Sequence, residues 1–175
     1  MSNAADAGGM GRRSGSRPKP GREEGGLFPL ADRKGGHEMA AHHCRACIIF
    51  CMDFRLNGAL TAFLSEQKLD KDGADVIRVA GAAKSLARPG DRRDREFLMN
   101  QLATSGRLHG TRQFYLINHE DCGAYGDEQV PDSDAELAMH RRDLRAGRAL
   151  LQERFPTIEV LTYFMRLDGR AEPIS

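Results

Sequence analysis

The ten residues Ala46-Cys47-Ile48-Ile49-Phe50-Cys51-Met52-Asp53-Phe54-Arg55 decide the fold of this chain. The first six form an unbroken apolar run with β-branched residues, the composition of a strand covered on both faces. That is the environment of a central strand in a parallel sheet. Directly after it the sequence releases a carboxylate and a guanidinium. Open parallel sheets gather their ligand sites outside the carboxyl ends of the strands, where loops and helix N-termini converge. The Cys51-Met52-Asp53-Phe54-Arg55 segment therefore marks an edge at which chemistry is expected.

Outward from this stretch, short apolar runs alternate with helical periods. Leu56, Leu60, Phe63 and Leu64 recur at helical spacing until Asp70-Lys71-Asp72-Gly73 stops the helix. Residues 74 to 80 read as a second strand closed by Gly81, and residues 82 to 90 as a loop broken by Arg88-Pro89-Gly90. A helix over 94 to 108 carries Phe97, Leu98 and Leu102 on one face and closes at Gly110. Residues 113 to 118 form the third strand, with a loop from His119 to about Asp132. Ser133-Asp134-Ala135-Glu136 reads as a capping box opening a helix to about Phe155. In it Leu137, Leu144 and Leu151 repeat every seven residues, while Arg141, Arg142, Arg145 and Arg148 form its wet face. Residues 158 to 164 are the fourth strand. The connections allow right-handed crossovers, so the expected fold is α/β: a four-stranded, mostly parallel sheet with helices on both faces.

The composition bounds what the fold can do. With 175 residues, 40% hydrophobic and 29% charged, the chain fits one domain, or a domain plus a tail. Its formal charge of +1 supplies no global field for nucleic acid, and aromatic and basic residues do not interleave as a stacking surface requires. The charge is unevenly divided. Residues 1 to 36 hold 7 Lys and Arg against 4 Asp and Glu, a net of +3, leaving 19 against 21 in the remainder, a net of −2. The first part also holds 9 of the 19 Gly and 3 of the 7 Pro. Such a composition buries too little apolar surface to order itself, so residues 1 to 39 read as a disordered leader and 40 to 175 as the folded domain. Met1-Ser2-Asn3-Ala4 resembles an expression scar. No apolar run has the length of a signal or a membrane span, so a cytoplasmic protein without membrane association is expected.

Two segments bring chemistry to the carboxyl edge of the sheet: Cys51-Met52-Asp53-Phe54-Arg55 after the first strand and His119-Glu120-Asp121-Cys122-Gly123 after the third. Cys51, His119 and Cys122 make a soft set of two sulfurs and one nitrogen that suits Zn2+. Three protein ligands leave a fourth position, the feature that separates a catalytic zinc site from a closed structural one. Asp53 can take that position or accept a hydrogen bond beside it, and Arg55 is spaced to pair with Asp53 through two bonds.

Cys-x-Asp-x-Arg after a buried strand, followed by His-x-x-Cys-Gly after another, resembles the β-class carbonic anhydrases. Val76-Ile77-Arg78-Val79-Ala80-Gly81 resembles that family's intervening strand. The resemblance spans roughly residues 44 to 126 and marks a short, divergent member. It implies a zinc ion held by Cys51, His119 and Cys122, with Asp53 closing the zinc shell in one state and held away by Arg55 in the other. Asp53 and Arg55 are then the catalytic pair. Phe54, Ala80, Gly81 and Gly123 line the substrate pocket. The implied reaction is hydration of CO2 to bicarbonate by a zinc-bound hydroxide, in a homodimer. Phe54 stands where the family carries Ser, Val79 where it carries Asn, and Ala82 where it carries a second Gly. These wall changes leave two other functions open: a catalytically silent zinc protein used for assembly or sensing, and a hydrolase of a related small linear molecule.

Other residues admit plainer readings. Cys47 shares a strand face with Ile49 and Cys51 and is expected to be a buried inert thiol. A rival arrangement pairs Cys44-x-x-Cys47 with His119-x-x-Cys122 as a closed structural zinc site, which leaves Cys51, Asp53 and Arg55 without a purpose. Gly81-Ala82-Ala83-Lys84-Ser85 lacks the glycines of a phosphate loop, so Lys84 reads as a solvated turn residue. His37, His42 and His43 fall in or near the leader, and His109 and His140 are expected at the surface. Glu120 and Asp121 are expected to make turn hydrogen bonds.

Overall fold

The computed structural model describes residues 42–126 and 131–175. The expected leader and Met1 to Ala4 lie outside these residues. The apolar run is strand β1 (Ala46–Phe50), buried at all five positions. It sits inside a five-stranded sheet of order β2-β1-β3-β4-β5, in which β2 is Ala74–Arg78, β3 Gln113–His119, β4 Glu159–Met165 and β5 Ala171–Pro173. The first four strands are parallel to their neighbours, and β5 runs antiparallel to β4.

The fifth strand corrects the expected four. β5 has three residues, too few to show an alternating pattern, and its Pro173 suits an edge strand because proline donates no ladder hydrogen bond. A tight reversal at 166–170 joins it to β4. There the Arg170 carbonyl accepts from the Arg166 amide at 2.8 Å, and Gly169 adopts a φ of +93°.

Because successive strand residues face opposite sides, β1 divides the core. Ala46, Ile48 and Phe50 pack with Tyr115 and Ile117 of β3 against Leu56, which immediately precedes helix α1, and against Leu60, Phe63 and Leu69 of helices α1 (Asn57–Glu66) and α2 (Leu69–Asp72). Cys47 and Ile49 pack with Phe114 and Leu116 against Leu86, Leu98, Leu102, Leu144 and Leu151. These come from α3 (Ala83–Ala87), α4 (Arg92–His109) and α5 (Ser133–Arg154). Helices thus cover both faces, as the continuous apolar pattern of β1 requires. On α5, Gly147 lets the helix approach β3 closely: a Cβ there would meet Leu116 Cδ2 at 2.8 Å.

Local differences from the sequence reading have identifiable causes. Residues 82 to 90 are not all loop, since α3 occupies five of them, a helix too short to display a period. Phe97 is 57% exposed while Leu98 and Leu102 are buried, because adjacent helical residues point about 100° apart. The cap of α5 is Asp132, whose carboxylate accepts from the amides of Asp134 and Ala135, one residue before the expected Ser133. Glu136 is thereby freed, and its Oε1 accepts from the Asp121 amide at 2.6 Å. His140 is fully buried rather than at the surface. Among the described residues no helix is long and apolar enough to cross a membrane.

Candidate metal centre

The register of the sheet assembles the site. β1 pairs β3 with Ile49 opposite Leu116, and continuing that register sets His119, the last residue of β3, opposite Met52 and next to Cys51. The turn after β3 returns Cys122 to the same place. Cys51, His119 and Cys122 are all buried and bring their donor atoms within 4.8 Å of one another. The two sulfurs lie 3.8 Å apart.

Each donor is oriented. His119 Nδ1 lies 2.8 Å from the Glu120 carbonyl, so this nitrogen carries the proton and Nε2 presents a lone pair. His119 Nε2 is buried without a hydrogen-bond partner of ordinary geometry. An unsatisfied buried acceptor is costly, and one aimed at two cysteine sulfurs fits a metal ligand whose second nitrogen is held by a carbonyl. Burial opposes charging of His119, but its contacts with Cys51 and the Glu120 carbonyl leave its pKa raised.

The sulfurs share a proton. The Cys122 thiol beside it, together with the nearby His119 ring and the backbone at Gly81 and Asp53, depresses the Cys51 pKa against burial. Cys122, the donor beside a thiolate and itself buried, is correspondingly raised. A cation placed between them would replace that proton and favour both thiolates.

Gly81 closes the third side. Its φ is +72°, and a Cβ would lie 3.0 Å from Ala124 Cβ and 3.2 Å from Lys84 Cβ, so the position requires glycine in both conformation and space. Ala82, fully buried, holds a φ of +39° that also favours glycine. It is the position at which the resemblance expects a second Gly.

Asp53 caps the 3₁₀ turn Phe54–Leu56, accepting from the Arg55 amide at 2.9 Å. The Arg55 side chain binds the same carboxylate through Nε at 3.1 Å to both oxygens and through its terminal nitrogen at 2.7 Å. This bonding to Arg55 holds the Asp53 carboxyl down at about 2. Arg55 also reaches across to Asp121, at 2.7 Å to its carboxylate and 2.8 Å to its carbonyl, and so ties the loop after β1 to the loop after β3. Asp121 has a φ of +52°, a left-handed conformation that Asp tolerates better than most residues.

The expected pocket residues separate by exposure. Gly81 is buried, Ala80 and Gly123 are exposed, and Phe54 is 79% exposed beside Met52 at 65%. Several residues that sequence reasoning missed support the site. At the end of β2, Arg78 donates to the Cys51 carbonyl at 3.0 Å and the Asp53 carbonyl at 2.8 Å, fixing the turn that carries both side chains. Lys84 is not a solvated turn residue: it donates to the Ala124 carbonyl at 2.7 Å and lies over the Tyr125 ring. Beneath Cys122, Asn118 donates to the Tyr125 hydroxyl at 2.9 Å, stands 3.0 Å from His140 Nδ1 and accepts from the Ala83 amide at 3.0 Å. Buried Asp143 takes Arg88 through two nitrogens, at 3.0 and 2.7 Å. No sequence pattern announces these contacts, which join residues 7 to 55 apart.

Cys44 and Cys47 take no part. Cys47 is fully buried on the α4 side of the sheet, where burial pushes its thiol up to about 12. Cys44 precedes β1 at the opposite edge from His119 and Cys122, which removes the rival zinc arrangement.

Residues 41–175 match the family described as "Putative carbonic anhydrase". The chain belongs to this family. An uncharacterized protein of Rickettsia conorii is 28% identical over 142 residues, covering 79% of this chain and 76% of its own. An uncharacterized protein of Rickettsia bellii is 26% identical over the same length, covering 79% and 86%. Among solved structures, the carbonic anhydrase of Streptococcus mutans superposes with a TM-score of 0.52 at 20% identity, covering 81% of this chain and 88% of that one. The tetrameric β-carbonic anhydrases of Sordaria macrospora give 0.52 at 13% identity, covering 77% and 82%. At such identities the superpositions establish the β-carbonic-anhydrase fold.

Proposed function

We propose that this chain is a zinc-dependent carbonic anhydrase that interconverts CO2 and bicarbonate. The observation that carries the reading is the buried Cys51, His119 and Cys122 cluster beside an Asp53 carboxylate already clamped by Arg55. Two thiolates and a neutral imidazole with a bare Nε2 are the donors zinc prefers. Zinc bound there would supply the Lewis acidity that makes water nucleophilic well below its bulk pKa.

The chain supplies the rest. Cys51 and Cys122 would hold the ion as thiolates, and the Glu120 carbonyl fixes the His119 tautomer. Asp53, kept ionised by Arg55, is an acceptor that can hold a proton at the mouth of the site, and its bonds to Arg55 would keep this carboxylate off a bound ion. Release of Asp53 from Arg55 would let the carboxylate close that position. Gly81, Ala80, Gly123 and Phe54 border the space for a small linear substrate. Met52 and Phe54 leave an apolar rim in the single chain, and a second copy covering it would complete a homodimer. Four free thiols suit a reducing compartment such as the cytoplasm.

The test is the pH profile of CO2 hydration by the zinc-loaded chain. Two thiolates cancel the charge of Zn2+, so the site acidifies water less than three imidazoles would. The rate should climb from about pH 6.5 to about pH 9. A flat profile would contradict the proposal.

A further inference from the structure

At the amino-terminal edge of the same sheet a second set of donors converges. Cys44 precedes β1, Asp75 lies near the start of β2, and His109 ends α4. The Cys44 sulfur, an Asp75 carboxylate oxygen and a His109 ring nitrogen all lie within 4.8 Å of one another. His109 Nδ1 stands 2.8 Å from Asp75 Oδ2. Cys44 Sγ contacts Thr111 Oγ1 at 3.3 Å, and Thr111 in turn meets Ser105 Oγ at 2.7 Å. From Cys44 to Cys51 the chain is mostly extended strand, so the two sets stand roughly 20 Å apart at about 3.3 Å per residue. They cannot share an ion.

We propose that Cys44, Asp75 and His109 form a second metal site, separate from the Cys51 centre and selective for Zn2+ or a cation of similar softness. One thiolate and one carboxylate bring two negative charges that match a divalent ion, and the thiolate argues against Mg2+ and Ca2+, which take oxygen ligands. Bonds of roughly 2.0–2.1 Å to nitrogen and oxygen would widen the His109–Asp75 contact to about 3.3 Å, a small adjustment at a helix end. The three residues are each only partly buried, so an ion can enter from solvent.

The surroundings are built rather than incidental. The Cys44 amide donates to the His109 carbonyl at 3.1 Å, locking the lead into β1 against the end of α4. Gly110 caps α4 at a φ of +68°, which turns the chain sharply after His109. Gly73, at a φ of +76°, leaves only 3.2 Å between a hypothetical Cβ and Cys44 Cβ, so the backbone yields space to the Cys44 side chain. The turn at Gly110 also needs a glycine for space: a Cβ there would lie 3.4 Å from His43 Nδ1. An ion here would tie β1, β2 and α4 together at the end of the sheet remote from the first centre.

Zinc content per chain, measured on reduced full-length protein after stripping, reloading with Zn2+ and desalting, tests the site. Wild type should hold about two ions, and Cys44→Ser and His109→Gln about one each. The Cys51→Ser/Cys122→Ser chain should also hold about one, with an unfolding temperature that rises on adding zinc. Asp75→Asn, close in shape to the native side chain, guards against misfolding and should weaken zinc binding by more than about tenfold, the smallest loss expected for a ligand. A single ion in wild type that survives Cys44→Ser and His109→Gln would overturn the proposal and leave His109–Asp75 as an ion pair. A single ion that survives Cys51→Ser/Cys122→Ser but not Cys44→Ser would support this site and defeat the first one, so the two failures are distinguishable.

Discussion

Replacing Gly81 by Ala should damage fold and centre together, and the geometry sets the size of the effect. The φ of +72° places an L-residue in the left-handed region, at a cost of about 1–2 kcal/mol. The new Cβ lies 3.0 Å from Ala124 Cβ and 3.2 Å from Lys84 Cβ, contacts that force movement and cost about 1–3 kcal/mol more. A stiffer unfolded chain returns about 0.4–1 kcal/mol. The net loss is about 1–5 kcal/mol, which for a domain of this size lowers Tm by about 3–25 °C. Ala124 follows Cys122 by two residues, so a Cβ pressing on Ala124 displaces the turn that carries Cys122. Zinc affinity should therefore fall as well, by at least about tenfold. Thermal unfolding by circular dichroism, with chelator and with zinc, measures the first effect, and competition with a chromophoric chelator the second. Gly58→Ala is the control: nothing lies within 4 Å of its Cβ, and in α1 alanine should be neutral or stabilise by up to about 1 kcal/mol. A Gly81→Ala chain with Tm within about 2 °C of wild type and unchanged zinc affinity would refute this reasoning.

Arg55→Ala should leave zinc content at the Cys51 centre unchanged while CO2 hydration falls by about 100-fold or more, the range for a lost positioning group; metal analysis and stopped-flow rates on one preparation decide it. The Asp53 carboxyl is depressed from 3.8 to about 2, so its stabilising contribution is fully present above pH 3.8 and disappears as pH falls through about 2. Acid unfolding should therefore show a wild-type minus Asp53→Asn stability difference that vanishes over this window, and a constant difference down to pH 2 would contradict it. Asp143→Ala should destabilise by about 2 kcal/mol, below the usual cost of breaking a buried pair because Arg88 is 37% exposed and can regain water; urea unfolding measures it. Ala82→Gly should change stability by less than about 1 kcal/mol, because relief of the positive φ is offset by a lost buried methyl and a freer unfolded chain.

The parallel core was legible because its signal is local. Ala46 to Phe50 is apolar at every position, which only a doubly covered strand explains, and the motifs at Cys51 and His119 fall where parallel strands end. The remaining elements left weaker signals. β5 and α3 are too short for a period to register, and Ser133 outcompeted Asp132 as the apparent cap because the two candidates are adjacent. The supporting shell was not legible at all. Arg78 on the Cys51 and Asp53 carbonyls, Lys84 on the Ala124 carbonyl and buried His140 beside Asn118 depend on how strands and helices meet in space. Cys47 was legible as a buried thiol from its place on β1, but nothing in the sequence brings Cys44, which precedes that strand, to Asp75 and His109.

The most direct measurement is stopped-flow CO2 hydration by the reduced, zinc-loaded chain at alkaline pH beside the Cys51→Ser variant. A rate above buffer that scales with zinc at the Cys51 centre and is lost in Cys51→Ser is the predicted result. A zinc-loaded wild-type chain no faster than buffer would contradict the catalytic reading and leave a carbonic-anhydrase fold that binds metal without turning over CO2.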